Sequence, residues 1–307
     1  MRAHETMKAS VAAALALCFL ATPVLTQQQV YVTLRDVRFS VTDRNGAPVN
    51  GLNPEDFTVY DDDRLEEIST FARNVQSPVS VAMVLDRSRS LDGTLPAVVE
   101  AAAAFLSSLV RDGEDQGAVV AFDSKVYLLH DWTSDSAALV RTMRTLTAAG
   151  GTSVFDALVK TCRDQFVAAD ARQKAIVLVT DGEDTTSTAT IDDALSMARL
   201  AKVAVYVLGV RAEHSLNSRE LQGRRVLTSL ADLTGGRVFY PATRSDASLS
   251  ALFAHVQQEL RNGYSLTYYL DTRPDNAFHR IRIEPKDRTL TVHAPTGYSR
   301  NHFRPVS

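Results

Sequence analysis

Two kinds of hydrophobic pattern divide the chain. From Val79 to Leu85 the sequence Val-Ser-Val-Ala-Met-Val-Leu is almost continuously apolar, as expected of a parallel strand covered on both faces. Similar short runs follow at 118–122, 175–180, 203–210 and 237–240. Helical periodicity separates most of them, at 95–110, 136–146, 154–168, 191–200 and 218–233, with 249–260 closing the series. In the first of these helices Val98, Val99, Ala102, Phe105, Leu106 and Leu109 share one face, and Gly235-Gly236 is a natural stop for the fifth. Strands alternating with helices imply right-handed crossovers and an α/β fold: a doubly wound, mostly parallel, Rossmann-like sheet.

The flanks read differently. Val30, Val32 and Leu34 alternate with polar neighbours, as do Val37, Phe39 and Val41, and Asn45-Gly46 predicts a hairpin-type turn. A short strand at 57–60 ends in Asp61-Asp62-Asp63. That triplet lacks the glycine and distal glutamate of a calcium loop and is read as a solvated turn. After Asn262-Gly263, strands are expected at 264–270, 279–284 and 289–294. Neither flank is long enough to be stable alone, so the two are expected to associate into a small β-sandwich-like body beside the α/β domain. Tyr264, Tyr268, Tyr269 and Tyr298 are expected to pack that body, the alternative being an aromatic contact surface.

The first residues have the charged, apolar and polar order of a secretory signal: Arg2 and Lys8, then an apolar run from 11 to 20, then Pro23 and Gln27-Gln28-Gln29. The run is short for a membrane span of about 20 residues. The expected organisation is a signal peptide at 1–26, an N-terminal β module at 27–76, the α/β domain at 77–262 and a C-terminal β segment at 263–307. The product would be secreted, periplasmic or held in the cell envelope, with no transmembrane segment after signal removal. Cys18 lacks a lipoprotein setting, which leaves Cys162 as the mature chain's single cysteine. It shares a helical stripe with Phe155, Val159 and Phe166 and is expected to be a buried thiol.

Composition narrows the partner class. With 33 basic against 36 acidic residues in 307, the chain offers no polycationic surface, and nucleic acid is not an expected partner. The seven histidines are scattered without zinc spacing and are expected mostly on the surface or in loops.

The candidate chemistry lies at strand ends, where doubly wound sheets bind ligands. The first core strand runs into Asp86-Arg87-Ser88-Arg89-Ser90. In extended chain Asp86, Ser88 and Ser90 share a side, an all-oxygen set suited to a hard cation such as Mg²⁺. Gly150-Gly151-Thr152 and Thr180-Asp181-Gly182-Glu183-Asp184 leave the same end of the sheet. In this respect the sequence resembles a von Willebrand factor type A domain, whose metal-ion-dependent adhesion site (MIDAS) joins Asp-x-Ser-x-Ser to a distant Thr and a distant Asp. The resemblance implies Asp86, Ser88, Ser90, Thr152 and Asp181 as the metal residues and Mg²⁺ (or Mn²⁺) as the ion. It extends to the bacterial secreted VWFA-related family through Val41-Thr42-Asp43-Arg44-Asn45-Gly46, Asp56-Phe57-Thr58-Val59-Tyr60, residues 230–237 and Thr296-Gly297-Tyr298. The family usually has a small residue between the two serines. Here Arg89 stands there, and both it and Arg87 are expected to face solvent or pair with acids such as Asp92.

The implied function is a secreted metal-dependent protein-binding or adhesion module, gripping an exposed Asp or Glu of a partner protein. No nucleophile elbow, phosphate loop or dinucleotide fingerprint is present, so an enzyme is not expected. Two alternatives stand beside this reading. One is a Mg²⁺-dependent phosphoryl hydrolase using Asp86, which would lack the usual second carboxylate where Ser88 stands. The other is a degenerate A domain serving as a metal-independent envelope scaffold.

Overall fold

In a computed structural model, which describes residues 33–74, 77–167, 173–210, 218–241, 246–270 and 277–299, the first described elements include four strands. These are β1 (Thr33–Thr42), β2 (Phe57–Asp61), β3 (Arg64–Glu66) and β4 (Thr70–Arg73). Strands and helices then alternate: β5 (Val79–Asp86), α1 (Leu95–Leu109), β6 (Gln116–Phe122), β7 (Val126–Thr133), α2 (Ser136–Met143), α3 (Val154–Thr161), β8 (Gln173–Thr180), α4 (Ile191–Ala201), β9 (Ala204–Gly209), α5 (Ser218–Thr234), β10 (Val238–Phe239) and α6 (Asp246–Arg261). The chain returns to strands with β11 (Tyr264–Leu270), β12 (Phe278–Pro285), β13 (Thr291–His293) and β14 (Gly297–Ser299). The expected signal at 1–26 lies outside the described residues.

The six-stranded sheet has the order β10-β9-β8-β5-β6-β7, parallel except for β7. Every residue of β5 is buried. Val79, Val81, Met83 and Leu85 enter a core layer shared with α1, α2 and α6, while Ala82 and Val84 enter the opposite layer with α3, α4 and α5. Two covered faces are the physical reason for the uninterrupted apolar run. The chain moves outward from β5 through β6 and β7, then crosses back to β8 on the other side, so the switch in strand order falls between β5 and β8. The edge strand β7 was not legible in the sequence: it is only partly covered, with Tyr127 and Leu128 exposed, and its polarity has no clean alternation. Cys162 is fully buried, as expected, in a π-helical turn (Cys162–Phe166) that continues α3, and burial pushes its thiol up to about 12.

The flanking strands form two antiparallel sheets of four, in the orders β13-β1-β11-β4 and β14-β12-β2-β3. Each sheet combines strands from both flanks: β1 pairs with β11 from Thr33↔Leu270 to Phe39↔Tyr264, and β2 pairs with β12 from Asp61↔Ile281 to Phe57↔Pro285. Val37, Phe39, Phe57, Val59, Tyr264, Leu266 and Ile283 fill the layer between the sheets. Phe39 lies edge-on to Phe57 at 5.2 Å and stacks on Tyr264 at 5.5 Å. Tyr264, Tyr268 and Tyr298 are buried as expected, but Tyr269 is exposed.

Three local expectations are corrected. Asn45-Gly46 does form a turn, with Gly46 at φ +78°, but it closes only an isolated bridge between Thr42 and Pro48 and no hairpin. The strand partners of β1 come from the far end of the chain. Asp61 is not solvated: it is 5% exposed, and its Oδ2 accepts hydrogen bonds from the Tyr268 and Tyr298 hydroxyls at 2.7 and 3.0 Å. Only Asp62 and Asp63, both at positive φ, make the turn itself. Finally, His279 is buried, with its Nδ1 2.6 Å from Asp62 Oδ2, and His293 is half-buried, with its Nε2 3.0 Å from the Thr42 hydroxyl.

Burial, reinforced by the Arg237 charge, lowers His293 to about 4 from its usual 6.5. The unfolded chain therefore takes up this proton at a higher pH than the folded one. The stability His293 contributes is complete above pH 6.5 and is lost as pH falls from 6.5 through 4. After discounting for partial exposure, the effect is on the order of 1 kcal/mol. Urea titrations of wild type and His293→Gln at pH 7.0 and 4.5 should show the smaller acid loss in the variant; equal losses would contradict this assignment.

Candidate metal centre

Asp86 closes β5 and is 1% exposed, a carboxylate carried out of water by the strand that carries it. Its Oδ1 accepts a hydrogen bond from the Ser88 N–H at 2.8 Å, and its Oδ2 accepts one from the Thr180 hydroxyl at 2.7 Å. Thr180 is the last residue of the neighbouring strand β8, so this bond ties the two strand ends that flank the switch point. Ser88 is buried, and its hydroxyl lies 2.9 Å from that of Ser90, which is exposed at the mouth of the loop. Asp181 follows Thr180 directly and is also buried, with its Oδ1 3.4 Å from the Glu183 amide.

Thr152 is buried on the loop before α3. Its carbonyl accepts hydrogen bonds from the Thr185 and Thr186 amides at 2.8 and 3.0 Å, and its own N–H donates to the Thr185 hydroxyl at 3.0 Å. These bonds join the loop before α3 to the loop after β8. A second set joins it to the loop after β5: the Ala149 N–H donates to the Arg87 carbonyl at 2.7 Å, and the Arg89 N–H reaches the Gly150 carbonyl at 3.5 Å. Gly150 sits at φ +68°, and a Cβ there would come within 2.9 Å of the Asp123 side chain, so both conformation and space require glycine. The three loops are therefore one hydrogen-bonded unit.

Electrostatics distinguishes Asp86 from an ordinary surface acid. Burial raises Asp86 to about 6; the Ser88 and Thr180 hydrogen bonds oppose the rise, and the charge of Asp181 adds to it. The two acids thus repel each other across a poorly solvated gap. A divalent cation between them would offset both the desolvation and the repulsion, and neighbouring hydroxyls are the donors a hard cation prefers. On this ground the residues present fit an oxygen-ligated divalent ion.

Two residues outside the expected set shape the site. Thr180 orients Asp86, and its position directly before Asp181 was the available signal. Asp123, just past the end of β6, is buried: its carbonyl accepts from the Ser153 N–H and hydroxyl, and its carboxylate receives the Lys125 N–H. It also accounts for Arg87. The Arg87 Nε lies 3.4 Å from Asp123 Oδ2 and its guanidinium lies over the Tyr127 ring at 5.6 Å, so it pairs with a nearby acid, and that acid is Asp123. Arg89 is exposed. Asp184 holds the N-terminus of α3, accepting the Phe155 N–H at 3.1 Å and the Ser187 hydroxyl at 2.6 Å.

Tertiary structure also assembles a group that sequence spacing hides. Candidate ligand atoms of Asp61, Asp62 and His279 lie within 4.8 Å of one another in the sandwich, an arrangement that could hold a metal ion. In the structure these groups bond to the tyrosine hydroxyls and to each other.

A doubly wound sheet with oxygen-rich loops gathered at its switch point defines the class: a Rossmann-like α/β domain. Residues 81–183 match the family model for the von Willebrand factor type A domain. That stretch of the chain is a von Willebrand factor type A domain. The minor fimbrium subunit Mfa5 of Porphyromonas gingivalis is 30% identical over 149 residues, covering 46% of this chain and 12% of that protein. A protein of Synechocystis sp. is 29% identical over 173 residues, covering 55% of this chain and 39% of its own length. The chain therefore spans well under half the length of these curated relatives. Among solved structures, proximal thread matrix protein 1 from the mussel byssus, with a zinc-occupied MIDAS motif, aligns at a TM-score of 0.51 and 19% identity, over 66% of this chain and 49% of that one, a likeness of fold. Among the described residues no helix is long and apolar enough to cross a membrane.

Gly223 of α5 packs directly on Gly182, the residue after Asp181, and a Cβ there would collide with the Gly182 carbonyl oxygen. Gly223→Ala should therefore displace α5 or the Asp181 loop and cost about 1–3 kcal/mol. Guanidinium denaturation checks this, and an unchanged midpoint would show that the contact relaxes freely.

Proposed function

We propose that this chain is a secreted, metal-dependent protein-binding or adhesion module, and that Asp86, Ser88, Ser90, Thr152 and Asp181 hold a Mg²⁺ or Mn²⁺ ion. The observation that carries the reading is the pair of buried acids at the ends of β5 and β8, with the Ser88 and Ser90 hydroxyls beside them. When bound, the ion would supply a Lewis-acidic position able to accept an Asp or Glu carboxylate from a partner. Asp86 and Asp181 balance its charge. The three hydroxyls add no charge, so the ion stays electrophilic toward an anionic ligand. Thr180 and the Ser88 amide keep Asp86 oriented.

The kinship with a fimbrium subunit supports an adhesive role at the cell surface or envelope. Phosphoryl transfer is less well served: Ser88 stands where a hydrolase of that type places its second carboxylate, and its hydroxyl is engaged with Ser90. On this reading the chain is not an enzyme. The division proposed is an A domain at 77–262, a β body drawn from 27–76 and 263–307, and a signal at 1–26.

Titration of the purified protein with Mg²⁺ and Mn²⁺ by calorimetry tests the site. Wild type should bind one ion saturably, and Asp181→Ala and Asp86→Asn should weaken binding by at least tenfold. A pull-down from the secreting organism should recover a partner that EDTA and Asp181→Ala both release. A partner retained in every arm would favour the metal-independent scaffold, and Mg²⁺-dependent turnover of phosphatase substrates lost in Asp86→Asn would favour the hydrolase.

A further inference from the structure

At the end of the α/β sheet opposite Asp86 and Asp181, where β8 and β9 begin, the sandwich and the A domain enclose a cleft of about 490 Å³. That volume is in the usual range for a small-molecule site. Its lining carries Arg35 and Arg38 from β1, Lys174 from β8, and Arg199 and Lys202 from the end of α4. Among the described lining residues two are acids, and both are engaged: Glu259 is paired with Arg237, and the exposed Asp36 lies 3.8 Å from Arg38.

Arg35 and Arg199 are the informative pair. The Arg35 guanidinium lies over the Tyr298 ring at 3.7 Å and forms no ion pair or hydrogen bond with the described residues, the Asp61 and Asp36 carboxylates acting on its charge only from farther off; its Nε is buried without a partner. Arg199 stacks over Phe278 at 4.5 Å and donates one bond, from Nη2 to the Thr296 hydroxyl at 3.3 Å, and its Nε is also buried without a partner. Burial lowers the pKa of both, the sign of cations held partly out of water. Charges in such positions are ordinarily paired, and a guanidinium has five donors to satisfy. Each guanidinium is held over an aromatic ring, which limits its freedom before any ligand arrives. One belongs to the sandwich and the other to the A domain, so a single ligand meeting both needs oxygens pointing in several directions and more than one negative charge. Tetrahedral phosphate groups meet that requirement.

We propose that the cleft between the sandwich and the A domain binds a small phosphate-bearing anion through Arg35 and Arg199, with Lys202 at its rim. Such a ligand would bridge the two bodies and act independently of the cation site at the other end of the sheet.

Calorimetric titration of the whole protein with inorganic pyrophosphate, in EDTA so that no divalent ion takes part, tests this. Wild type and Asp181→Ala should bind one equivalent alike. Arg35→Gln and Arg199→Gln should each weaken binding about tenfold or more. Lys202→Gln, at an exposed position where folding is not at risk, should weaken it less, and circular dichroism melts report whether each variant is folded. Absence of saturable binding, equal affinity in the folded arginine and lysine variants, or loss of binding in Asp181→Ala would overturn the proposal. Citrate bound as tightly as pyrophosphate would overturn the phosphate assignment. Binding to phosphatidylglycerol vesicles without binding of pyrophosphate would place recognition on a lipid surface instead of in the cleft.

Discussion

A carboxylate buried at the end of the central strand is the constraint around which the α/β domain is arranged. Asp86 is almost wholly removed from water, a position that costs several kcal/mol unless the charge is met by donors or a cation. The surrounding structure supplies some of what is needed: an amide from Ser88, a hydroxyl from Thr180 and a cage of loops held by backbone hydrogen bonds. It also supplies an opposing element, the second acid at Asp181. A site that places two acids together out of water is poorly balanced by its own residues and well balanced by a divalent ion.

The scaffold makes this possible because β5 is covered on both faces. With α1, α2 and α6 on one side and α3, α4 and α5 on the other, the strand end cannot shift without disturbing both core layers. Asp115 secures the opposite end: its carboxylate accepts the Val79 amide at 2.9 Å, Arg111 Nε at 2.7 Å and Arg261 Nη2 at 2.5 Å. Burial alone would raise this acid, but the arginine bonds outweigh it and hold it well below the usual carboxylate range. One acid is thus fully paired within the protein and the other is left with capacity for a ligand, a contrast set by their neighbours.

The sandwich adds a second body with its own polar interior. Asp61 is enclosed by two tyrosine hydroxyls, and Tyr298 in turn supports Arg35 at the cleft. The same aromatic residue therefore belongs to the sandwich core and carries an arginine that lines the space facing the A domain. The Arg237–Glu259 pair, with Ser40 of β1 donating to the same glutamate, links the bodies beside that space.

Much of the architecture was legible in residue order because the signals were local. Continuous apolar runs marked β5, β6, β8 and β9, helical periods marked α1 to α6, and polar strand ends marked Asp86, Thr152 and Asp181 for attention. Short or half-covered elements were not legible: β7 has one poorly covered face, and β3, β4 and β14 are three or four residues long. The sequence by itself determined the class of fold and the oxygen-rich character of the loops, since both follow from side-chain type and spacing along the chain. Tertiary structure alone decided that β1 pairs with β11, that Asp61 is buried, that Arg87 turns to Asp123, and that Arg35 and Arg199, neither bonded to a carboxylate among the described residues, line one cleft. Each of these depends on residues brought together from distant parts of the chain, and burial and pairing are properties of that assembled neighbourhood.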